Sequence, residues 1–121
     1  MAEAPLTPAM FALLLALHEE QRHGYALISD VEQLTGGAIR LGPGTLYRSL
    51  QRMRVDGLIE ELDETGPVED RRAERRRSYR ITDAGRDAAR GEARRLAVFV
   101  DAAKQRGLLS ADAEEGADHD R

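Results

Sequence analysis

The chain contains no cysteine. Disulfides, thiolate nucleophiles and cysteine-held metals are therefore excluded. No apolar run approaches the ~20 residues needed to span a bilayer. No charged region followed by an apolar core and a cleavage site opens the chain, so a cytoplasmic protein without membrane attachment is expected. Catalytic signatures are also missing. There is no Gly-x-Ser-x-Gly, and Gly42-Pro43-Gly44-Thr45 lacks the lysine of a phosphate loop. His18 and His23 are five residues apart, which does not set them on one helical face for a metal. Glu60 and Glu61 would point to opposite sides of a strand and cannot share a proton. We expect no enzymatic activity, no metal and no cofactor.

What remains is a soluble globular composition. The 121 residues are 41% hydrophobic and 33% charged, enough for one domain with a modest core. The formal net charge is −4, but the charge is segregated. Residues 40–95 carry 14 Arg against 11 acids, whereas the remainder carries 4 basic residues against 11 acids. An acidic protein can thus present a basic face to a polyanion. Lys104 is the single lysine among 18 basic residues. Arginine favours bidentate contacts to phosphate or guanine, although GC-rich codon usage produces the same bias.

Residues 40–58 are the most informative stretch. Pro43 suits the first position of a helix. Leu46, Leu50 and Met53 follow the i, i+4, i+7 rule and form its buried stripe. At about 100° per residue, Gly44, Thr45, Arg48, Gln51 and Arg52 fall on the other side, where they can reach phosphates and base edges. Tyr47 flanks that face, and its hydroxyl is expected either on a phosphate or partly buried. Gly57 supplies a left-handed cap.

Upstream, Thr7 caps a first helix with Pro8 at its start, running to about Glu20. Met10, Leu13, Leu14 and Leu17 form its inward stripe. Phe11 and Leu15 add apolar surface beyond it, so this helix needs a second partner. His23-Gly24 interrupts the pattern. A second helix follows over about 25–34, with Leu27, Ile28, Val31 and Leu34 inward and Gly36-Gly37 ending it. Tyr25 and Tyr79 are expected in the core.

Downstream, residues 58–65 and 78–82 read as two strands, with Tyr79 and Ile81 on one face and Ser78 and Arg80 on the other. Between them lies the basic run of residues 71–77, with Arg75, Arg76 and Arg77 nearest the second strand. Three short helices and such a hairpin make a winged helix-turn-helix. Thr82 then caps a long final helix with Asp83 in its first turn. Ala89, Ala93, Leu96, Val100 and Ala103 repeat at spacings of four and three, which makes a coiled-coil-like seam. Phe99 lies beside it. The fold class is therefore mainly α with a small β-hairpin. Its expected parts are a flexible lead-in (1–6), a DNA-binding domain (7–82), a C-terminal dimerisation helix (83–108) and an acidic disordered tail (109–121).

These pieces, in order and at these spacings, resemble the PadR family of bacterial transcriptional regulators, in its short form without a separate C-terminal domain. The resemblance is carried by His23-Gly24-Tyr25, Gly42-Pro43-Gly44-Thr45-Leu46-Tyr47, Asp56-Gly57-Leu58-Ile59, and Arg77-Ser78-Tyr79-Arg80-Ile81-Thr82 with Gly85. It covers roughly residues 7–107. It implies a homodimer built from the first and last helices. That dimer would bind double-stranded operator DNA, usually as a repressor, with the third helix (43–56) in the major groove. The wing (66–77) would lie on the backbone or in the minor groove.

The DNA-contact candidates are Pro43, Gly44, Thr45, Tyr47, Arg48, Gln51, Arg52, Arg75, Arg76 and Arg77. The dimer candidates are Phe11, Leu15, Ala89, Ala93, Leu96, Phe99, Val100 and Ala103. The resemblance also implies a small aromatic effector, but the chain has no tryptophan for the stacking site of some members. Two alternatives stay open at this point. One is a winged-helix protein-interaction module; the other is a ligand-controlled sensor without sequence-specific DNA binding.

Overall fold

The computed structural model describes residues 6–62 and 77–110. The elements run α1 (Pro8–Glu19), β1 (Arg22–His23), α2 (Ala26–Leu34), α3 (Pro43–Val55), β2 (Ile59–Leu62), β3 (Ser78–Ile81) and α4 (Asp83–Gln105). The chain divides into two units, residues 1–90 and 91–121. No helix among the described residues is long and apolar enough to cross a membrane.

Local chemistry sets the helix ends. The Met10 amide donates to Thr7 Oγ1 at 3.0 Å, which caps α1 ahead of Pro8. α3 stops at a left-handed glycine: Gly57 has φ +81°, its amide donates to the Arg54 carbonyl, and the Leu58 amide reaches back to the Met53 carbonyl. Those two bonds close the turn and bring Leu58 onto Met53, both buried. α4 is capped as expected, with the Gly85 amide donating to Thr82 Oγ1 at 3.0 Å. The same hydroxyl donates to the Gly57 carbonyl at 2.7 Å, so one side chain ties the start of α4 to the end of α3.

The first unit closes around one core. α1 contributes Met10, Ala12, Leu13, Leu14 and Leu17, α2 gives Leu27 and Val31, and α3 gives Leu46, Leu50 and Met53. The sheet adds Ile59, Tyr79 and Ile81. Burying each leucine is worth roughly 1.5–3 kcal/mol, so the α3 stripe alone is a substantial fraction of a small domain's stability. Four expectations are corrected here. Leu34 is not inward but 43% exposed, at the last residue of α2, while Val31 in the same turn stays buried. Tyr25 is not a core aromatic: it is 55% exposed at the N-cap of α2. Ser78 is not outward but buried, since His23 of β1 lies opposite it.

The fourth correction concerns the sheet. It has three strands in the order β1-β3-β2, both pairings antiparallel, rather than a two-stranded hairpin. His23 was expected only to break a helix, yet Arg22-His23 pairs with Tyr79-Ser78 and covers the free edge of β3. Ser78 Oγ sits 3.3 Å from His23 Nδ1. Arg22 then forks onto Asp30 of α2, with Nε to Oδ2 at 2.7 Å and Nη2 to Oδ1 at 2.9 Å. This bidentate pair holds the guanidinium more firmly protonated and staples the edge strand to α2.

In the second unit Leu96, Ala102 and Ala103 are half-buried, but other apolar residues of the helix and of the turn after it stand in the open. Val98, Phe99, Val100 and Leu108 are all exposed. Arg95 pairs with Glu92 and lies over the Phe99 ring, 5.5 Å from its centroid. Gly107, at φ +78°, ends the helix as expected. The expectations for residues 1–5, for the wing loop including Arg75 and Arg76, and for the tail from 111 onward lie outside the described residues.

Candidate nucleic-acid interface

The buried stripe of α3 fixes which side faces out. With Leu46, Leu50 and Met53 sealed in the core, Pro43, Gly44, Thr45, Arg48, Gln51 and Arg52 are all exposed on one surface. The helix enters from Gly42 with extended backbone, and no side chain caps its first turn. Those first amides are left for water or an anion. Arg48 folds back over that turn. Its Nη2 donates to Thr45 Oγ1 at 3.3 Å, and a methyl group at Gly44 would meet its Nη1 at 3.3 Å. Glycine thus leaves room for the guanidinium to lie against the helix start.

The two central arginines differ in their surroundings. Among the described residues Arg48 has no acidic partner, whereas Arg52 Nε lies 3.8 Å from Asp56 Oδ2 one turn on. An exposed pair of this kind is worth less than about 1 kcal/mol and yields readily to a phosphate. Val55 also belongs to this surface, seven residues after Arg48 and exposed. It was not among the candidates, although its spacing from Arg48 would have found it.

Of the two expectations for Tyr47, a phosphate contact or partial burial, the structure shows burial. Its ring is half-buried and its hydroxyl oxygen fully so. The reason is Gly24, at which a methyl group would sit 3.1 Å from Tyr79 Cε1 and 3.3 Å from Tyr47 Cε1. The Gly24 amide also donates to the Arg77 carbonyl at 2.8 Å. Gly24 lets both tyrosines press onto the backbone beside β1. It therefore sets how α3 leans on the sheet, a role that adjacency in sequence does not reveal.

Arg77 is exposed but committed, with its Nε 3.0 Å from Glu61 Oε2. Arg54 Nε approaches the other oxygen of the same carboxylate at 4.0 Å. On the opposite face of β2, Glu60 takes Arg80 at 2.9 Å, so the two adjacent acids do point apart.

Burial pushes the Tyr79 hydroxyl up to about 12, with the Glu61 charge adding to the effect. The unfolded chain would ionise near the ordinary 10, the folded one near 12. Stability from this group is complete below pH 10 and is lost as pH rises toward 12, because the unfolded chain releases its proton first. A spectrophotometric titration should show one tyrosine with a midpoint near 12 that disappears in Tyr79→Phe. If the step that disappears has its midpoint near 10, the assignment is wrong.

The sequence model of the Transcriptional regulator PadR-like family matches residues 13–91. The chain belongs to this family. The matched region takes in most of α1, all three strands and α3, the parts that build the surface just described. A transcriptional regulator of Mycobacterium tuberculosis is 42% identical over 65 residues, 54% of this chain. The match spans 23% of one curated relative, a transposon-encoded protein of Streptomyces fradiae, and 56% of the Mycobacterium tuberculosis regulator.

Solved PadR structures share the winged helix-turn-helix fold. A PadR family transcription regulator of Clostridium difficile aligns with a TM-score of 0.64 at 21% identity, covering 82% of this chain and 97% of that one. Bacillus subtilis PadR, solved in complex with operator DNA, aligns at 0.57 and 18% identity, covering 68% of this chain and 44% of that one.

Proposed function

We propose that this PadR-like regulator is a homodimeric, sequence-specific DNA-binding protein that represses transcription from an inverted-repeat operator. The observation that carries this reading is the outward surface of α3. A helix held by three buried side chains presents Thr45, Arg48, Gln51 and Arg52 together, with an uncapped first turn at its tip. Such a surface matches the major groove, where arginine takes guanine or phosphate and the first turn takes backbone. The operator complex of Bacillus subtilis PadR, a relative in fold, supports the same use.

Residues 7–82 would serve as the DNA-binding domain and 83–108 as the dimerisation helix. Leu15 in the first unit and Val98, Phe99 and Val100 in the second leave apolar surface in water that a second copy would cover. Ala93, Leu96 and Ala103 continue that seam; Ala89 already packs partly on its own core. Two-fold symmetry then demands two half-sites about one helical turn apart. A small aromatic effector would release the dimer from its operator. The wing arginines Arg75, Arg76 and Arg77 would add backbone contacts. The protein would act in the cytoplasm, where the chromosome lies, and without catalysis.

Selection of bound fragments from sheared genomic DNA by the purified protein tests the reading. A shared inverted repeat, bound at about 10⁻⁸ to 10⁻¹¹ M at physiological salt, is the expected result. Retention of random fragments without any common sequence, by a monomer, would refute it.

A further inference from the structure

The proposed reading uses the surface that carries Arg48, Gln51 and Arg52 and gives Arg77 a backbone contact, but assigns nothing to Arg54, Glu61 or the cleft where α3 meets the sheet. There a cleft of about 210 Å³ opens between α3 and the β2–β3 pair. Buried Leu50 and Tyr79 form its floor, and Gln51, Arg54, Glu61 and Arg77 line it. Arg54 comes from the last turn of α3, Arg77 from the residue preceding β3, and Glu61 from β2. Both guanidinium groups converge on the Glu61 carboxylate, which is the least exposed of the three side chains at 23% against 41% and 51%.

Among the described residues two cations share one anion there, which leaves one unit of positive charge at the mouth of the cleft. Donor capacity points the same way. A guanidinium carries five N–H donors, and a single carboxylate cannot take up two such sets. Outward-facing donors therefore remain available. The space is below the ~300 Å³ at which drug-sized ligand pockets begin, so it suits one small anionic group rather than a whole compound. When α3 lies in a major groove, its flanks face the phosphate strands that border that groove. The flank toward the hairpin is the one bearing Gln51 and Arg54.

We propose that Arg54 and Arg77 form a clamp for one backbone phosphodiester of bound DNA, with Glu61 as the internal counter-charge that holds both guanidinium groups ready. This rests on the DNA-binding reading above. Once the phosphate arrives, two cations lie between two anions. Glu61 then repels the phosphate while it positions the clamp. The carboxylate therefore lowers DNA affinity, and removing its charge tightens binding.

The test uses the full chain and a labelled duplex carrying the selected inverted repeat, with affinity measured by anisotropy between about 50 and 200 mM salt. Arg54→Gln, and independently Arg77→Gln, should weaken binding about 10-fold. Each should also flatten the log–log salt dependence by about two units per dimer, one phosphate for each subunit. Glu61→Gln, nearly identical in shape, should tighten binding about 10-fold at the lower salt and steepen the dependence.

Weaker binding by Glu61→Gln, with an unchanged thermal melt, would mean that the carboxylate only braces the hairpin, and would overturn the clamp. Unchanged affinity and slope in both arginine variants would overturn it too, while wild-type binding would leave the regulator reading standing. If the unmodified protein bound no duplex, the reading beneath would fail before any variant was made.

Discussion

Gly85→Ala should destabilise the first unit by about 3 kcal/mol, the upper end of what overpacking costs. A methyl group there would sit 2.1 Å from the Leu58 carbonyl oxygen and 2.8 Å from Ile81 Cγ1. Neither neighbour can yield cheaply. The Leu58 carbonyl accepts from the Thr82 amide at 3.0 Å, and Leu58 is itself the residue that closes the turn after α3. Ile81 is buried in the sheet. Pushing α4 outward would also stretch the Thr82 cap that fastens it to Gly57.

Gly91 lies in the same helix, and a methyl group there would meet nothing within 4 Å, which makes it the control. Gly91→Ala should stabilise by about 0.5–1 kcal/mol, the ordinary helical gain over glycine. Urea melts of the two variants check this directly. An unchanged midpoint for Gly85→Ala would contradict the close approach of residue 85 to Leu58, and a lower one for Gly91→Ala would contradict the open space around residue 91.

Arg48→Ala and Arg52→Ala should abolish operator binding at concentrations where the wild type saturates, while both variants stay folded. Each bidentate arginine contact is worth about 1–3 kcal/mol of discrimination. In the proposed homodimer every substitution would be present twice, so about 2–6 kcal/mol would be at stake, or roughly 30-fold to 10⁴-fold in affinity. Folding should be untouched, because both side chains are exposed and neither belongs to the buried stripe.

The salt dependence separates the two possible roles. A phosphate-bound arginine, once removed, should flatten the slope by about two units per dimer. A guanine reader should instead relax specificity at one position of each half-site with little change in slope. Arg52 must first leave Asp56, so Asp56→Asn should favour binding slightly. Wild-type affinity in both alanine variants would remove α3 as the reading head.

Much of α3 was legible in the sequence because its rules are local. The Leu46, Leu50, Met53 stripe and the Gly57 turn depend on spacings of three or four residues and on one backbone angle. The structure reproduces both. The caps at Thr7 and Thr82 are equally short-range.

β1 was not legible. Arg22-His23 has little strand preference, and two residues carry no alternation to read. It is extended because the edge of β3 needs a partner and because Arg22 forks onto Asp30. Tyr25 and Tyr79 look alike in sequence, yet one is exposed at a helix start and the other is the centre of a three-stranded sheet. The Arg54–Glu61–Arg77 cluster was invisible for a related reason. Its members stand on different elements, seven and sixteen residues apart.

The sequence alone determined which residues form helices, where those helices stop, which side of α3 is oily and which is charged. It also carried the ordered motifs that place the chain in its family. Tertiary structure alone decided which partners the charges meet, how many strands the sheet has, and why residue 85 must be glycine. The division follows from range. Helix periodicity and caps act within one or two turns, whereas an ion pair, a sheet edge or a 2.1 Å approach exists only once distant segments are packed together.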